Sequence, residues 1–263
     1  MRAPISVLRV FTIFIMILVF LTHMCVVWVL VRNRWTRVRW SNVLLGHYCW
    51  VGLWVLGVKV TARGQENLTG LKGGLFVGNH LTYIDVLAIS SQIPSCFVTS
   101  KEIKEAPLLG QICTMAGCLF VERRNKSNIR KEISELREGL QHGLKVTIFP
   151  EATSTNGEAI LRFRKPLFLS AIDGGVPVYP FCLNYRTINK APITFENRDQ
   201  VFWYGDMDFA PSLWSLANSG GVLVDLHFLK PISTTLEDDP SELSERAQRA
   251  VESVFIPIIN PNL

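Results

Sequence analysis

The organisation of this chain follows from one stretch of sequence, Leu75-Phe-Val-Gly-Asn-His-Leu-Thr-Tyr-Ile-Asp85. Its first four residues are apolar or small and follow a Gly-Gly turn, which predicts a buried strand. Residues 85–91 predict a helix. A strand that ends in a polar turn and continues into a helix is where open α/β sheets place ligand sites. We therefore expect the functional site beside this turn.

The rest of the chain repeats this alternation of short apolar strands and helices. Residues 128–142 have the apolar spacing of an amphipathic helix, and residues 241–254 predict a closing helix. Further strands are predicted at residues 58–62, 96–99, 145–149, 176–179 and 222–228. Such alternation predicts an α/β fold with a mixed, mainly parallel sheet flanked by helices.

Composition limits the class of protein further. Of the 263 residues, 48% are hydrophobic and 19% are charged, which is less charge than the roughly 25% of soluble domains. With a mean hydropathy of +0.24, these values exclude a disordered or collagenous chain and favour membrane association. The formal net charge of +5 is too small and too scattered to indicate nucleic-acid binding, but it suits an anionic membrane surface or anionic substrates.

The N-terminal part of the chain predicts a membrane anchor. Residues 10–31 contain no Asp, Glu, Lys or Arg, and as a helix they would extend about 33 Å, enough to cross a hydrocarbon core. The run is too long for a signal-peptide core and has no small-residue cleavage site behind it, so we expect a retained helix. The arginines and tryptophans that follow are typical of the cytoplasmic membrane–water interface: Arg32, Arg34, Trp35, Arg37, Arg39 and Trp40.

A second apolar stretch, residues 43–58, comes next. It is short for a membrane span and predicts an interfacial or re-entrant helix packed against the first, with residues 32–39 as the connecting loop. The alternative is that both stretches are core helices of a soluble protein. We divide the chain accordingly into a membrane-anchoring helical element, residues 1–58, and an α/β domain, residues 59–263.

The spacing of the six cysteines matches neither a zinc site nor a Cys-x-x-Cys redox motif. Four of them lie in apolar stretches, where a free cysteine behaves as a small hydrophobe: Cys25, Cys49, Cys96 and Cys182. We expect reduced thiols and no bound metal.

His80 and Asp85 are the candidate catalytic pair. Five residues apart, they can meet only if His80 lies in the turn before the helix and Asp85 lies in its first turn. The carboxylate would then accept the ring N–H, fix the tautomer and leave the other ring nitrogen as a base. Alone this spacing is a weak signal, because a structural histidine and a helix-capping aspartate give the same pattern.

Two further segments add polar groups at predicted strand ends. The first runs from Lys101 through Pro107 and two glycines to Arg123 and Arg124, where a phosphate could dock, although a solvated arginine pair has the same sequence. The second, Ile148-Phe-Pro-Glu-Ala-Thr-Ser154, leaves a strand and enters a turn typical of a helix cap or an anion cradle.

Together these segments resemble the motif series of the glycerolipid acyltransferases. The blocks are Asn-His-x₄-Asp at 79–85, Lys-Glu-x₄-Pro-x₂-Gly-x₆-Gly-x₂-Phe-x₂-Arg at 101–123, Phe-Pro-Glu-x-Thr-Ser at 149–154 and Val-Pro-Val-Tyr-Pro at 176–180. They stand in the family's order and cover roughly residues 58–190. The series is most similar to that of the bacterial 1-acylglycerol-3-phosphate (lysophosphatidate) acyltransferases, which also carry an apolar two-helix element before the α/β domain.

The resemblance implies a role for each block. His80 would deprotonate the acceptor hydroxyl for attack on an acyl thioester, and Asp85 would orient it. The remaining site residues would bind the acceptor or shape its pocket: Asn79, Lys101, Arg123, Glu151, Thr153 and Ser154. No covalent acyl-enzyme, metal or bound cofactor is implied, since acyl-CoA or acyl carrier protein serves as co-substrate. The implied partners are the lipid bilayer and a lysophospholipid, with the active site on the cytoplasmic face of the membrane (the inner membrane if the source is Gram-negative), and no nucleic acid.

The sequence departs from the family pattern at two positions. Ala152 stands where the third block usually has Gly, and Pro166 stands where Phe-Lys-x-Gly usually ends. An alanine is tolerated at negative φ and costs energy in the left-handed region. Some relatives that acylate other lysolipids, such as lyso-ornithine lipid, also lack the downstream Gly. We expect transfer to 1-acyl-sn-glycerol-3-phosphate, with another lysolipid acceptor such as lyso-ornithine lipid as the alternative, and a non-catalytic lipid-binding protein or a thioester hydrolase as readings of another class.

Overall fold

A mixed sheet with helices on both faces forms the centre of the molecule. The computed structural model describes residues 3–122 and 129–261. The strands are β1 (Val58–Arg63), β2 (Gly74–Gly78), β3 (Cys96–Ser100), β4 (Leu119–Val121), β5 (Lys145–Ile148), β6 (Val178–Ile188), β7 (Ala191–Pro192) and β8 (Val222–Phe228). The helices are α1 (Ala3–Leu30), α2 (Arg34–Leu56), α3 (Ile84–Gln92), α4 (Lys101–Glu105), α5 (Leu109–Met115), α6 (Ile129–Gln141), α7 (Leu169–Gly174), α8 (Phe209–Asn218) and α9 (Pro240–Glu252).

The sheet has the strand order β1-β8-β6-β2-β5-β3-β4 within the described residues, with β7 paired to β6. Strands β6, β2, β5, β3 and β4 are mutually parallel, whereas β8 runs antiparallel to β6 and parallel to β1. All five residues of β2 are buried, as expected for a strand that is covered on both faces. The predicted mixed, mainly parallel sheet is confirmed. The carboxyl ends of β2, β5 and β3 lie at one edge of the sheet, and the predicted site segments follow these strands there.

Two apolar cores lie on the two faces of the sheet. One packs α3, α8 and the end of α2 against β6 and β8, with Phe76, Ile84 and Leu216 fully buried. The other packs α6, α7, α9 and the start of α2 against β2 and β5. Helix α2 therefore contributes to both layers, and this ties the N-terminal helices to the α/β domain.

The connection between the two N-terminal helices is shorter than the sequence predicts. The expected loop over residues 32–39 is wrong, because α2 begins at Arg34 and the basic and indole residues lie in its first turns. Asn33 caps this helix by accepting a hydrogen bond from the Thr36 N–H, which satisfies one of the free donors at the helix start. The second helix is consequently longer than the predicted stretch of residues 43–58. It ends at Leu56, where Gly57 has a φ of 75°.

Both ends of α1 contact the α/β domain. Near the start, the Arg9 guanidinium donates to the carbonyl oxygens of Ala217 and Ser219, each at 2.9 Å. Near the end, Phe20 and Met24 are buried against Ala116, which leads into β4. The helix segment between Arg9 and Met24 is about 22 Å long. The distance from β8 to β4 across the sheet is five strand spacings, or roughly 24 Å, which is close to this length. The helix therefore runs across one layer of the domain rather than away from it.

Candidate active site

The turn after β2 is fixed by close backbone packing. Gly78 ends the strand against β6, where a Cβ would come within 2.5 Å of the Phe181 carbonyl oxygen, so a larger residue cannot occupy this position without shifting backbone. The Asn79 amide then bonds both backbone groups of Leu183, donating to the carbonyl at 2.9 Å and accepting from the N–H at 2.8 Å. Asn79 is buried and joins β2 to β6. This contact directs the chain into the turn that carries His80.

His80 and Asp85 meet in the way that their spacing requires. His80 lies in the turn, Asp85 lies in the first turn of α3, and Nδ1 of His80 is 2.8 Å from Oδ2 of Asp85. An ionised carboxylate only accepts hydrogen bonds, so a neutral imidazole in this contact has its ring proton on Nδ1 and its lone pair on Nε2. The Asp85 side chain has no solvent exposure, whereas the His80 side chain is 19% exposed. The imidazole is therefore partly accessible to solvent, and its carboxylate partner lies in the interior.

Besides the imidazole, three further groups donate hydrogen bonds to the Asp85 carboxylate. Its Oδ2 also accepts from the backbone N–H groups of Leu81 at 2.6 Å and Thr82 at 3.0 Å. Its Oδ1 accepts from the hydroxyl of Tyr185 at 2.7 Å. Burial, reinforced by the neighbouring Asp85 carboxylate, raises the pKa of Tyr185 well above its ordinary value, so this hydroxyl stays protonated and donates. These bonds compensate the desolvation of a fully buried carboxylate.

Tyr185 and Phe149 are site residues that sequence reasoning missed. Tyr185 lies on β6, a hundred positions from Asp85, and nothing in the local sequence signals the contact. The ring of Phe149 stacks on the His80 imidazole, with 4.0 Å between ring centroids and 11° between planes. Phe149 belongs to the quoted Phe-Pro-Glu block, but the block indicates no ring contact. Together the two residues fix the imidazole plane and its carboxylate.

Glu151 supports the same turn from the end of β5. Its Oε1 accepts from the backbone N–H of His80 at 2.8 Å, and its Oε2 accepts from the backbone N–H of Leu161 at 2.7 Å. Burial raises the pKa of this carboxyl to about 7, although the two N–H bonds act in the opposite direction. With both oxygens bonded to backbone, Glu151 holds the turn.

The loop that follows Glu151 lies beside His80. Ala152 has a φ of 61°, so the position that is usually Gly in the resembled family is left-handed here and the alanine is strained. Thr153 is exposed and Ser154 is half-buried, and Thr155 donates its backbone N–H to the His80 carbonyl at 2.9 Å. Thr153 and Ser154 therefore belong to a loop that contacts the His80 turn, and both are accessible to solvent.

Lys101 also follows the carboxyl end of a strand, but it lies away from the imidazole. It starts α4 after β3, two strand spacings or about 10 Å from β2. Its Nζ is 3.7 Å from Oε1 of the buried Glu132. It lines a cleft of about 410 Å³ beside β4, whose described lining also includes the carboxylates of Glu132 and Glu135 and four further cations: Arg34, Arg37, Lys104 and Lys131. Arg123 and Arg124 lie outside the described residues.

The buried thiols are unsuited to nucleophilic chemistry. Burial raises the pKa of both Cys96 and Cys182 to about 12, and only the thiolate is a strong nucleophile. All six cysteines are free thiols.

Comparisons with known proteins agree on one family. The family model described as Acyltransferase matches residues 59–184. The chain is 27% identical over 205 residues to the 1-acyl-sn-glycerol-3-phosphate acyltransferase of Neisseria gonorrhoeae, covering 76% of this chain and 74% of the relative. It is 33% identical over 177 residues to the lyso-ornithine lipid O-acyltransferase of Pseudomonas aeruginosa, covering 67% of this chain and 66% of the relative. The crystal structure of the 1-acyl-sn-glycerophosphate acyltransferase of Thermotoga maritima has the same fold, with a TM-score of 0.67 at 17% identity over 96% of this chain and 95% of that one.

Proposed function

The chain belongs to the acyltransferase family and is an O-acyltransferase, and from this premise we propose that it acylates the free hydroxyl of a lysophospholipid with a fatty acyl group from a thioester. The observation that carries the proposal is the 2.8 Å contact between Nδ1 of His80 and the buried Asp85 carboxylate. This contact leaves Nε2 as a proton acceptor on the exposed side of the ring. Acyl transfer to a hydroxyl requires such a base.

In the proposed reaction, Nε2 of His80 takes the proton of the acceptor hydroxyl while the oxygen attacks the thioester carbonyl. The new C–O bond gives a tetrahedral intermediate with the negative charge on the former carbonyl oxygen. When the C–S bond breaks, the thiol leaves with the proton that His80 carries, and the imidazole returns to its neutral form. Asp85 stabilises the imidazolium that exists between the two proton transfers, as a buried carboxylate does for a histidine base.

The preferred acceptor in this proposal is 1-acyl-sn-glycerol-3-phosphate, giving phosphatidic acid. Its phosphate would bind Lys101 and Arg123, because guanidinium and ammonium groups match a phosphate monoester better than a zwitterion. Among the described residues, Lys101 shares its cleft with four other cations and with the carboxylates of Glu132 and Glu135. Lyso-ornithine lipid is the second candidate, favoured by the 33% identity to the lyso-ornithine lipid O-acyltransferase of Pseudomonas aeruginosa.

A panel of acceptors tests both candidates. The full-length protein is incubated with acyl-CoA or acyl carrier protein thioester, with lysophosphatidic acid, lyso-ornithine lipid or no acceptor, and thiol release is followed. We expect release only with lysophosphatidic acid, with Arg123→Ala lowering kcat/KM about 10–150-fold and the neighbouring Arg124→Ala changing it less. A preference for lyso-ornithine lipid transfers the proposal to the second candidate. Release without acceptor identifies a thioester hydrolase, and no release with any donor identifies a lipid-binding protein.

We further propose that the N-terminal helices attach the enzyme to one leaflet of a membrane, on the cytoplasmic side. Among the described residues, Pro4–Leu30 is the one helix long and apolar enough to cross a bilayer, and only 11% of its most apolar window is buried. A spanning helix must place its ends about 30 Å apart on opposite sides of the hydrocarbon core. Both ends of α1 contact the same α/β domain through Arg9 and Met24, which favours a helix lying in the membrane plane.

The orientation of α1 can be measured on the full chain in membrane vesicles. A protease-cleavable tag placed ahead of Met1 should be cut from the same side as exposed loops of the α/β domain, and the protein should resist alkaline extraction. Cleavage from the opposite side would establish a spanning helix, and complete release at alkaline pH would refute the anchor.

A further inference from the structure

Helix α8 presents an uncharged apolar face to the exterior. None of its residues is Asp, Glu, Lys or Arg. Ser212, Leu216 and Ala217 face the core beside α3, whereas Phe209 is 50% exposed and Trp214 is 45% exposed. A soluble surface helix carries charged or polar residues opposite its buried face. The outer face of α8 carries no charge, and its polar side chains are Ser215 and Asn218.

This face is continuous with the exposed side of α1. Ser6 donates to the Asn218 side chain at 3.0 Å, and Arg9 donates to carbonyl oxygens at the end of α8. Arg9 is the only Asp, Glu, Lys or Arg in α1, so its charge is used inside the contact between the two helices. The neighbouring α1 residues Leu8 and Phe11 are 62% and 60% exposed. The two helices therefore lie side by side and both expose apolar side chains, with the exposed Asp206 and Asp208 just ahead of α8.

We propose that α8 is a third membrane-contacting element and that Phe209 and Trp214 insert into the same leaflet as α1. The proposal rests on the membrane attachment proposed above and extends it to a helix 200 positions further along the chain. The occupant of the surface is the lipid bilayer, because the surface continues the helix that is apolar enough for a membrane. A tryptophan and a phenylalanine on an otherwise uncharged helix are the side chains that interfacial helices bury in lipid.

The position of α8 connects this surface to the catalytic turn. Phe209 packs against Tyr83 with 5.0 Å between ring centroids and lies 6.3 Å from the Trp203 ring. The Trp203 backbone N–H donates to the carbonyl of Leu81, the residue after His80. A single layer of aromatic rings thus separates the proposed lipid contact from the turn that carries the base. Lipid bound at α8 therefore lies against the wall of the active site.

Vesicle partitioning of the full-length protein tests the contact without using activity. We compare the wild type with Trp214→Glu and Phe209→Glu by flotation with phosphatidylglycerol–phosphatidylethanolamine vesicles over a range of lipid concentrations. The matched control is Leu236→Glu, since Leu236 is 79% exposed in the segment between β8 and α9, near α7 on the opposite layer. We expect each α8 variant to lower the partition coefficient about tenfold, and the control to leave it within about twofold.

A second measurement locates Trp214 directly. The difference in tryptophan fluorescence between the wild type and Trp214→Phe gives the emission of this indole. We expect vesicles of lipid brominated on the acyl chains to quench that emission. Wild-type binding with no effect of either α8 variant and no quenching would overturn the proposal while leaving the anchor in place. Wild type that binds no vesicles would instead refute the membrane attachment itself. A third outcome is a concentration-dependent dimer that shields Trp214 and that Trp214→Glu dissociates. This result would assign the surface to a second copy of the chain and overturn the proposal as well.

Discussion

Two buried carboxylates, Asp85 and Glu151, lie on neighbouring loops of the site and accept different donors. Asp85 accepts from an imidazole, two backbone N–H groups and a tyrosine hydroxyl. Glu151 accepts from two backbone N–H groups, one of which is that of His80. One carboxylate therefore contacts the ring of His80, and the other contacts its main chain.

The difference shows that burial alone does not assign a carboxylate to catalysis. Both side chains are inaccessible to solvent, and both meet His80. In the proposed mechanism Asp85 stabilises the charge on the imidazole, because it bonds Nδ1. Glu151 determines where the backbone of His80 lies. Variants of the two loops should separate these two functions.

The largest effect should come from removing the base itself. We expect His80→Ala to fold and to lower kcat by about 10²–10⁴-fold, because general-base assistance contributes that much. Steady-state acyl transfer checks this. The control is His142→Ala, which removes an exposed histidine bonded to the Glu138 carbonyl and should leave kcat unchanged. Retention of more than a tenth of wild-type turnover in His80→Ala contradicts the mechanism.

The comparison of the two carboxylates is tested by their amide variants. We expect Asp85→Asn to lower kcat about 10²-fold or more, because the imidazolium loses its counter-charge. Glu151→Gln should lower kcat less than about tenfold but reduce the free energy of unfolding by about 1–3 kcal/mol, because an amide nitrogen then faces a backbone N–H. Kinetics and urea unfolding in detergent micelles separate the two outcomes. Equal kinetic losses would give both carboxylates the same function.

The pH dependence of stability should identify Glu151. Its folded-state pKa is raised to about 7 from an ordinary 4.5, so its contribution to stability is greatest below the unfolded pKa and is lost as pH rises through the folded pKa. A shift of this size corresponds to about 3 kcal/mol. We expect the difference in unfolding free energy between wild type and Glu151→Gln to shrink by that order from pH 4 to pH 8. A constant difference would mean that the fold does not perturb this carboxyl.

A smaller effect should follow from the tyrosine that bonds Asp85. We expect Tyr185→Phe to lower kcat about tenfold, in line with the loss of a hydrogen bond to a charged group. Without this donor, Asp85 attracts the His80 proton more strongly, and the acidic limb of the kcat profile should move to higher pH. Besides His80 and Tyr185, the groups facing Asp85 are Glu151 at the end of β5 and, through Tyr185, Tyr83 next to α3.

The control for this prediction lies on the same strand. Tyr179 is on the same face of β6, stacked on Phe76 at 4.9 Å, and Tyr179→Phe should change neither kcat nor the pH profile. A fall in stability of Tyr185→Phe with an unshifted profile would make Tyr185 a packing residue only.

The smallest effect should be a gain in stability. Ala152 has a φ of 61°, and Ala152→Gly should raise the unfolding free energy by about 1 kcal/mol because glycine adopts this region without strain. Gly175 has a φ of 59° with nothing near its Cβ position, so Gly175→Ala should cost a similar amount. Urea midpoints check both variants. Destabilisation by Ala152→Gly would show that the alanine methyl group makes a contact that outweighs the strain.

Much of the framework was predictable from local patterns. The strand at β2, the amphipathic α6 and the apolar α1 follow from runs and spacings of apolar residues, and these act over a few positions. The encounter of His80 with Asp85 was also predictable, since five residues leave only one geometry for contact. The start of α2 was not, because arginines and tryptophans are compatible with both a loop and a helix, and the Asn33 cap decides between them.

The sequence by itself determined the α/β class, the position of the turn that carries His80 and the presence of an apolar N-terminal helix, because each depends on residues close together in the chain. Only the tertiary structure decided that Tyr185 completes the Asp85 site, that Glu151 holds the His80 backbone and that α1 lies across the domain beside α8. These contacts join segments between 70 and more than 200 positions apart. They depend on the order in which strands pair, and that order is set by long-range packing of the sheet and not by local residue spacing.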